Sequence, residues 1–471
     1  MMFNPALSTT HPLCAPVPVS PQADADGPPG GRAPPTLLSV AGVTPRTPSD
    51  QAVARHGWVQ ALSAVLAGLI TMGVVAALGL WAAGATDLPD GAFPRVVTAT
   101  VVTAVGGTVK LSGNAGALAD TKAGLTVIPL SVTLAGALAT AAAFLRPLRH
   151  RAVASAAELA GWAARIAVLW LLGLIGLALG ARQKFSISLG SGTLGDIGDL
   201  IGASPEVGFE ADVPQTVLFG LLWLAGVLVL ALLVSPGAPL PAALLRFHAS
   251  VRPAAYAVVA LLLAYVALGV VIALLTAATR GNVTQTFALI LLGMPNLVWL
   301  TLTIGLGATW NGRVNGPFGL PMPHLLDEIL RTPDISTLNL DSLAAFDGRV
   351  WWLLVVNAVL LLSAAFLMAA RSPARTRAWQ HAVHLAVAFA LAVLMICLVG
   401  RVSAHYGLSL LGIGDVGGGL SGDLFLKPEL WSAVGLAAVW GHVAGFLGAL
   451  LAKPVRRHGE VEIPEQSKRP A

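Results

Sequence analysis

Long blocks of apolar residues, separated by short polar segments, dominate the chain. A bilayer core about 30 Å thick is crossed by roughly 20 residues of apolar helix. These blocks lack period-two alternation, and a helix satisfies its own backbone hydrogen bonds in hydrocarbon. The pattern therefore predicts an all-α, polytopic membrane bundle. Eight blocks reach spanning length, at residues 58–82, 125–145, 161–181, 215–235, 253–277, 350–370, 380–400 and 431–452.

Two further apolar segments are short or interrupted. The first, residues 95–110, is too short to span as a helix. The second, residues 285–310, is longer, but Pro295 can break its helix into two arms. We therefore predict eight full spans plus two short or re-entrant segments. The alternative is ten full spans, five in each half, with the two halves inverted relative to one another.

The interrupted segments are related in sequence, because residues 94–114 return without a gap as residues 295–315. After the basic loop of each half come a span, a Gly-rich segment and a closing span. This order predicts two tandem membrane repeats, residues 57–236 and 253–454, related by an axis along the membrane normal. The identical pairs are Pro94 and Pro295, Val97 and Val298, Thr100 and Thr301, Gly106 and Gly307, Thr108 and Thr309, and Asn114 and Asn315.

Composition excludes a soluble globular class. Hydrophobic residues make up 56% of the chain and charged residues 11%, with a mean hydropathy of +0.78. Residues 1–56 are rich in Pro, Ala and Gly, and we predict a disordered cytoplasmic tail. Residues 455–471 are predicted to form a cytoplasmic C-terminal tail. The two cysteines, Cys14 and Cys397, make no disulfide framework.

Orientation follows from the positions of Lys and Arg. They concentrate in loops 146–151 and 371–377, which the positive-inside rule places in the cytoplasm. Eight spans then put both termini on the cytoplasmic side of the plasma membrane, and the outer loops are acidic. The predicted partner is the lipid bilayer. Because these loops account for the net charge of +5, no nucleic-acid partner is predicted.

Four features of the chain together resemble a known family. They are the Gly-Gly-Thr-Val run at 106–109, Ser-Gly-Asn at 112–114, the Arg-rich loops, and the Leu-Gly-x-Gly segments at 189–192 and 411–414. The family that they resemble is the streptophobe family, very hydrophobic multispan proteins of actinomycetes without an established biochemical role. The resemblance covers about residues 57–454, and it implies a membrane location but no activity and no functional residues.

Motifs for known chemistry do not occur. The sequence has no H-E-x-x-H, no phosphate-binding G-x-x-x-x-G-K-[ST], no G-x-S-x-G and no cysteine pair at zinc spacing. No catalytic residue, cofactor or metal is therefore predicted, and a non-enzymatic role is favoured. Among the polar residues within predicted spans, His442 and Asn357 are the candidates for a role inside the bundle. Each either lines a path through the bundle or hydrogen-bonds to a neighbouring helix.

The partial spans are the predicted functional site. In transporters and channels, broken helices meet near the midplane and present free backbone groups to the substrate. The alternative is a pair of interfacial helices that cap the bundle from outside. The residues concerned are Gly106, Gly107, Thr108 and Asn114 in the first copy, and Gly307, Thr309 and Asn315 in the second.

Three functions remain open from the sequence. Permeation or transport of an unknown small solute predicts a polar cavity near both Gly-Thr segments and His442. A non-transporting scaffold or partner subunit predicts a tightly packed core. An enzyme that acts on lipid-linked substrates is the third. Glycines four residues apart favour close packing inside the bundle or a homo-oligomer through either of two helix faces, Gly176 with Gly180 and Gly441 with Gly445.

Overall fold

The computed structural model describes most of the membrane region. The described residues are 48–88, 91–114, 119–150, 156–186, 206–235, 242–315, 330–331, 335–373, 375–410, 413–415 and 421–454. The predictions for residues 1–47, for the C-terminal tail and for the Gly-rich segment 189–192 lie outside them. The chain divides into two compact units, Met1–Asp50 and Gln51–Ala471. Apart from the start of the first helix, the elements below belong to the second unit.

Helices form most of the described chain. The first begins at Pro48, well inside the tail predicted for residues 1–56. The helices are α1 (Pro48–Ala82), α2 (Phe93–Ala104), α3 (Leu130–Leu145), α4 (Ala156–Gly180), α5 (Val213–Val234), α6 (Ala242–Arg280), α7 (Val283–Gly305), α8 (Leu340–Phe346), α9 (Trp352–Ala370), α10 (Ala378–Val399) and α11 (Leu430–Leu451). Single 3-10 turns lie at Ala85–Asp87, Pro147–His150 and Gly348–Trp351.

Within the described residues, 8 helices are long and apolar enough to cross a membrane. They match the predicted blocks, except that block 125–145 contains the 16-residue helix α3. Helix α7, with 23 residues, takes its place among the eight. A multi-pass helical membrane protein is therefore confirmed.

The predicted break of the second partial span at Pro295 is wrong, because α7 runs unbroken from Val283 to Gly305. Proline removes one backbone donor and strains the turn before it. Here the hydroxyl of Ser131 donates to the carbonyl of Ile290 (2.8 Å) and accepts from the amide of Met294 (3.2 Å). A side chain from α3 thus bridges the strained turn, which is how proline is tolerated in an apolar helix.

A sheet that the sequence analysis does not predict lies at one end of the bundle. Its strands all pair antiparallel, in the order β3-β4-β1-β2-β7-β9-β5-β6, with β8 on β7. In the described residues the strands are β1 (Val109–Asn114), β2 (Ala119–Thr126), β3 (Arg182–Ser186), β4 (Glu206–Ala211), β5 (Trp310–Asn315), β6 (Ser336–Leu338), β7 (Val402–Leu410), β8 (Ile413–Asp415) and β9 (Ser421–Pro428). We call this end of the bundle the sheet end.

The two halves of the chain carry the same order of elements. From α1 to α5 the order is helix, helix, two strands, two helices, two strands, helix, and it recurs from α6 to α11 with α8 and β8 added. The strand registers also correspond. Val109 pairs with Ala211 as Trp310 pairs with Pro428. The halves meet where the 8 residues of β2 pair with β7, a joint that we call the seam.

Helices α2 and α7 both make their contacts near the sheet end. The Arg95 guanidinium donates to the Gln183 side chain on β3, and the Thr133 hydroxyl donates to the Ala104 carbonyl (2.6 Å). Asn296 on α7 accepts from the Leu130 amide at the start of α3 (3.1 Å). The opposite end of the bundle carries the Arg-rich loops, and we call it the basic end.

Each half has its own apolar core. In the first, Trp170 and Trp223 stack with ring centroids 5.2 Å apart and planes 16° apart. In the second, Trp310 and Phe389 are among the largest fully buried side chains. Burial of large aromatic side chains is the main source of packing energy in such cores.

Candidate functional site

The recurrent Gly-Thr segments are junctions between a helix and a strand. Gly106 follows α2 with φ of 90°, and Gly307 follows α7 with φ of 95°. Both helices close with the paired hydrogen bonds of a Schellman motif, in which the residue at positive φ is usually glycine. The bonds run from Gly107 N to Val102 O (2.9 Å) and Gly106 N to Thr103 O (2.9 Å), and from Ala308 N to Thr303 O (3.0 Å) and Gly307 N to Ile304 O (2.8 Å).

The threonines that follow tie each junction to the closing helix of its half. The Thr108 carbonyl accepts from the Asp212 amide at the start of α5 (3.0 Å). The Thr309 carbonyl accepts from the Glu429 amide at the start of α11 (2.9 Å). A Cβ on Gly107 would lie 2.7 Å from the Thr216 hydroxyl. The recurrent sequence thus encodes a tightly packed structural joint.

The asparagines of the predicted site lie elsewhere. Asn114 ends β1 opposite Glu206, and Asn315 ends β5 opposite Asp423. Each strand has 6 residues and places its asparagine about 17 Å from the preceding Gly-Thr junction. The structure therefore does not bring the asparagines together with the glycines and threonines.

Packed side chains surround the second junction. Ala308 and Trp310 are each 1% exposed. The Trp310 indole donates to the Thr303 hydroxyl (3.0 Å), and the Trp440 indole donates to the Leu306 carbonyl (3.1 Å). These bonds satisfy the polar groups at the end of α7 within the protein.

An ion pair lies beside the first junction. The Lys110 ammonium is 2.8 Å from the Asp212 carboxylate, which also accepts from the Gln215 amide as the N-cap of α5. The hydrogen bond from Lys110 lowers the pKa of Asp212, and the same contact raises the pKa of Lys110. No sequence pattern considered above predicts this pair. The sequence does contain a signal for Asp212, because it lies two residues before a Pro, a pattern typical of a helix start.

Asn357 is 2% exposed and joins three helices. The Tyr265 hydroxyl on α6 donates to its side-chain oxygen, and its amide donates to the Leu302 carbonyl on α7 (2.8 Å). A Cβ on Gly305 would lie 2.5 Å from the Asn357 amide nitrogen, so glycine gives this side chain its space. The sequence allowed two interpretations of Asn357, a residue that lines a path or one that hydrogen-bonds to a neighbouring helix. The structure shows the hydrogen bond to a neighbouring helix.

His442 lies in α11 on a face that points away from the core of the chain. His442 and Val443 are exposed, whereas Gly441 and Ala444 on the same helix are buried. Both sequence-based interpretations of His442 placed the imidazole toward a neighbouring helix or a path inside the bundle. The structure places it on the outer surface of the bundle instead, because the small residues of α11 occupy the inward face.

The two glycine pairs have different surroundings. A Cβ on Gly441 or Gly445 would lie 2.8 Å from the Cα of Ala386 or Ala382 on α10. These two glycines pack against the backbone of α10 within the chain. A Cβ on Gly176 would meet nothing within 4 Å. An oligomer through Gly176 and Gly180 stays a prediction.

The chain matches no protein-family profile, no curated protein and no solved structure. The streptophobe resemblance therefore stays a prediction, and function is argued from the geometry alone.

Proposed function

We propose that the chain is a non-transporting membrane scaffold, which holds a β-sheet outside the plasma membrane on a rigid helical bundle. The observation that carries this proposal is the seam. It joins the halves through a backbone ladder from Ala119 opposite Leu410 to Thr126 opposite Ser403. Both termini face the cytoplasm in this arrangement, because the basic end then lies inside.

The seam opposes the motion that transport requires. Duplicated transporters alternate access largely by rocking one repeat against the other. Rocking that opens the sheet end would have to break the β2–β7 ladder. It would also separate Asn296 on α7 from the backbone of residues 128–130, where its side chain accepts from Leu130 N (3.1 Å) and donates to Ile128 O (2.9 Å).

Two further observations favour a scaffold over a transport path. Ala308 and Trp310 of the second Gly-Thr junction are buried, while Gly307 is exposed and Thr309 half-buried, and His442 faces away from the bundle interior. A path built on the repeated segments would need polar, accessible groups at these positions. The packed arrangement is the one that the scaffold hypothesis predicts.

The architecture that we propose is a tandem duplication with four crossing helices in each half. Its support is the shared order of elements, the matching strand registers and the two Schellman junctions. The crossing helices are α1, α3, α4 and α5 in the first half, and α6, α9, α10 and α11 in the second. Although α3 has only 16 residues, the 3-10 turn Pro147–His150 extends it toward the basic end. Helix α7 is long enough to cross, but it begins just after α6 and leads into β5, so both of its ends lie at the sheet end. Helix α2 lies there as well, as its contact to Gln183 indicates.

Distance measurements between spin labels at the basic end test the rigidity of this scaffold. We would place the labels at Ala157→Cys and Arg375→Cys, with Cys14 and Cys397 replaced by Ser, and study the full chain in lipid nanodiscs. A rigid scaffold gives one narrow distance. The second sample carries a disulfide across the seam between Leu125→Cys and Ala404→Cys, which face each other in the register.

The expected distance distribution is the same with and without this disulfide. A second distance population that disappears when the seam is locked would show rocking of the halves and overturn the scaffold proposal. A voltage-clamped bilayer holding the same protein gives an independent readout. Solute-dependent conductance there would also contradict a non-transporting role.

A further inference from the structure

A polar cavity lies at the basic end, between α6 and the start of α10. Its volume is about 380 Å³, within the range of small-molecule sites. Most of the lining side chains carry a hydroxyl, amide or imidazole group, and none of them belongs to the two Gly-Thr segments. They are Ala249, Ser250, Ser372, Pro373, Thr376, Gln380 and His384.

Four arginines adjoin the lining residues of this cavity in the chain. Arg252 lies two residues after Ser250, and Arg371, Arg375 and Arg377 flank the lining residues between α9 and α10. No Asp or Glu occurs in residues 213–326 or 348–414, which contain both walls. The ion pairs given for the described residues do not involve these arginines. An anion is therefore the ligand that the charge balance favours.

The hydrogen bonds around the cavity leave donors available to an anion. The Gln380 carbonyl oxygen accepts from the Arg377 amide (2.9 Å), which leaves the Gln380 amide group as a donor. The Ser372 hydroxyl donates to the Met368 carbonyl (2.7 Å), so its proton is already used. The 22-residue helix α10 begins at Ala378 and adds the positive end of its dipole. The Arg371 guanidinium lies 4.1 Å from the Tyr256 ring and is held at this end of α6.

The face of α10 beside the cavity is apolar and exposed. Trp379 is 55% exposed, Val383 40% and Val387 55%, and His384 of the cavity directly follows Val383. These residues form one stripe along the helix, with an aromatic side chain at the depth where Trp is common in membrane proteins. A free phosphate would not contact this stripe, whereas acyl chains would lie along it.

We propose that this cavity binds the phosphate of an anionic phospholipid, with the acyl chains on the Trp379–Val387 face of α10. Basic pockets between helices at the cytoplasmic side of a membrane suit such headgroups. Gln380, Thr376 and His384 contact the phosphate from the cavity wall, and the arginines neutralise it. This site is independent of whether the protein is a scaffold or a transporter.

The test measures lipid retention by the full chain with native mass spectrometry. The protein is exchanged into detergent with dioleoylphosphatidylglycerol or dioleoylphosphatidylcholine, which share their acyl chains. We expect one tightly retained phosphatidylglycerol and no retained phosphatidylcholine. Arg375→Gln with Arg377→Gln should lower retention roughly 30-fold, since each basic residue near the membrane surface contributes several-fold. Ala249→Trp, which fills the cavity and keeps every charge, should lower it as strongly.

The matched control is Arg149→Gln with Arg151→Gln, which removes two charges from the other Arg-rich loop. Its retention should equal that of the unmodified protein. An equal loss in the control and the cavity variants would mean diffuse attraction, and it would overturn the proposal. So would full retention by Ala249→Trp. Displacement of the lipid by inorganic phosphate at millimolar concentration would show a free-phosphate site and overturn the lipid assignment. Size-exclusion profiles verify that each variant is folded.

Discussion

The helix pairs α4–α5 and α10–α11 hold the same place in the two halves but pack differently. Counted from the strand residues Ala211 and Pro428, which hold equivalent register positions, Leu224 and Leu228 of α5 correspond to Gly441 and Gly445 of α11. All four positions are buried. In the first half large side chains separate the helices. In the second the two backbones are in contact.

The surroundings of each pair follow from this difference. In the first half, the stack of Trp170 on Trp223 fills the wider space between the helices, and the Trp170 indole donates to the Gly220 carbonyl (3.2 Å). In the second half, backbone contact replaces the stack. The same order of elements thus allows two ways of packing this helix pair. Both halves keep the burial pattern and the strand register, whereas the size of the side chains between the helices differs.

The largest effect should come from giving α11 the leucines of α5. Gly441→Leu with Gly445→Leu would drive each new Cβ into the backbone of Ala386 or Ala382, 2.8 Å away. Backbone atoms cannot rotate aside, so we expect a loss of about 3 kcal/mol or more of folding stability. The yield of monodisperse protein and thermal unfolding in detergent measure it. Gly176→Leu, in open space, is the control and should unfold like the unmodified chain. Equal stability of the double variant would show that the helix pair tolerates either packing.

Counted back from the C-cap residues Arg146 of α3 and Arg371 of α9, the position of Asn357 corresponds to the buried Val132 in the first half. Asn357→Val should lower stability by about 1 kcal/mol, because Tyr265 and the Leu302 carbonyl lose their partner. Tyr265→Phe in the same chain should recover part of this loss. A double-mutant cycle on thermal unfolding gives the coupling energy. Strict additivity of the two changes would mean that the hydrogen bond contributes nothing.

The two Schellman junctions should differ in their tolerance of a side chain. Alanine at a positive φ loses about 1 kcal/mol relative to glycine. Gly106→Ala also places its Cβ 3.2 Å from Phe219, whereas at Gly307 the nearest atom is 3.8 Å away on Leu436. We therefore expect Gly106→Ala to lower the unfolding temperature more than Gly307→Ala. The opposite order would show that the contact with Phe219 does not decide how well each junction tolerates a side chain.

The smallest effect concerns the exposed pair of Lys110 and Asp212. Because the folded-state pKa of Asp212 lies below its ordinary value of 3.8, its contribution to stability is present above that value. The contribution is lost as the pH falls through the lowered pKa. The unmodified chain should thus exceed Asp212→Asn in unfolding temperature at pH 6, with a smaller gap at pH 3. In the Lys110→Met variant, the further change Asp212→Asn should leave the unfolding temperature unchanged. A remaining difference would show that a group other than Lys110 stabilises the Asp212 carboxylate.

The helices could be predicted well from the sequence, whereas the sheet could not. Hydrophobic length located nearly every long helix, since spanning a bilayer is a property of about 20 consecutive residues. Strand β5 did carry a signal, because Trp310, Gly312 and Val314 are buried and alternate with more exposed residues. Six residues are too few to distinguish that alternation from a polar loop. The partners of β2 lie in β7, far along the chain.

For the candidate site too, local features could be predicted from the sequence and long-range contacts could not. The repeat correctly marked Gly106 and Gly307 as special, since a positive φ is a local demand that favours glycine. Its interpretation as a pathway depended on what surrounds the two glycines. Neither the burial of Trp310 nor the outward direction of His442 can be read from a uniformly apolar segment, because every face of such a helix looks alike in sequence.

By itself, the sequence determined that this protein lies in a membrane, which segments are long apolar helices, and where two related stretches recur. These features depend on local composition and length. Only the tertiary structure decided that segments between the helices pair into one sheet across both halves, that Asn357 joins three helices, and that His442 lies on the surface of the bundle. Each of these depends on contacts between residues far apart in the chain, whose geometry no local pattern specifies.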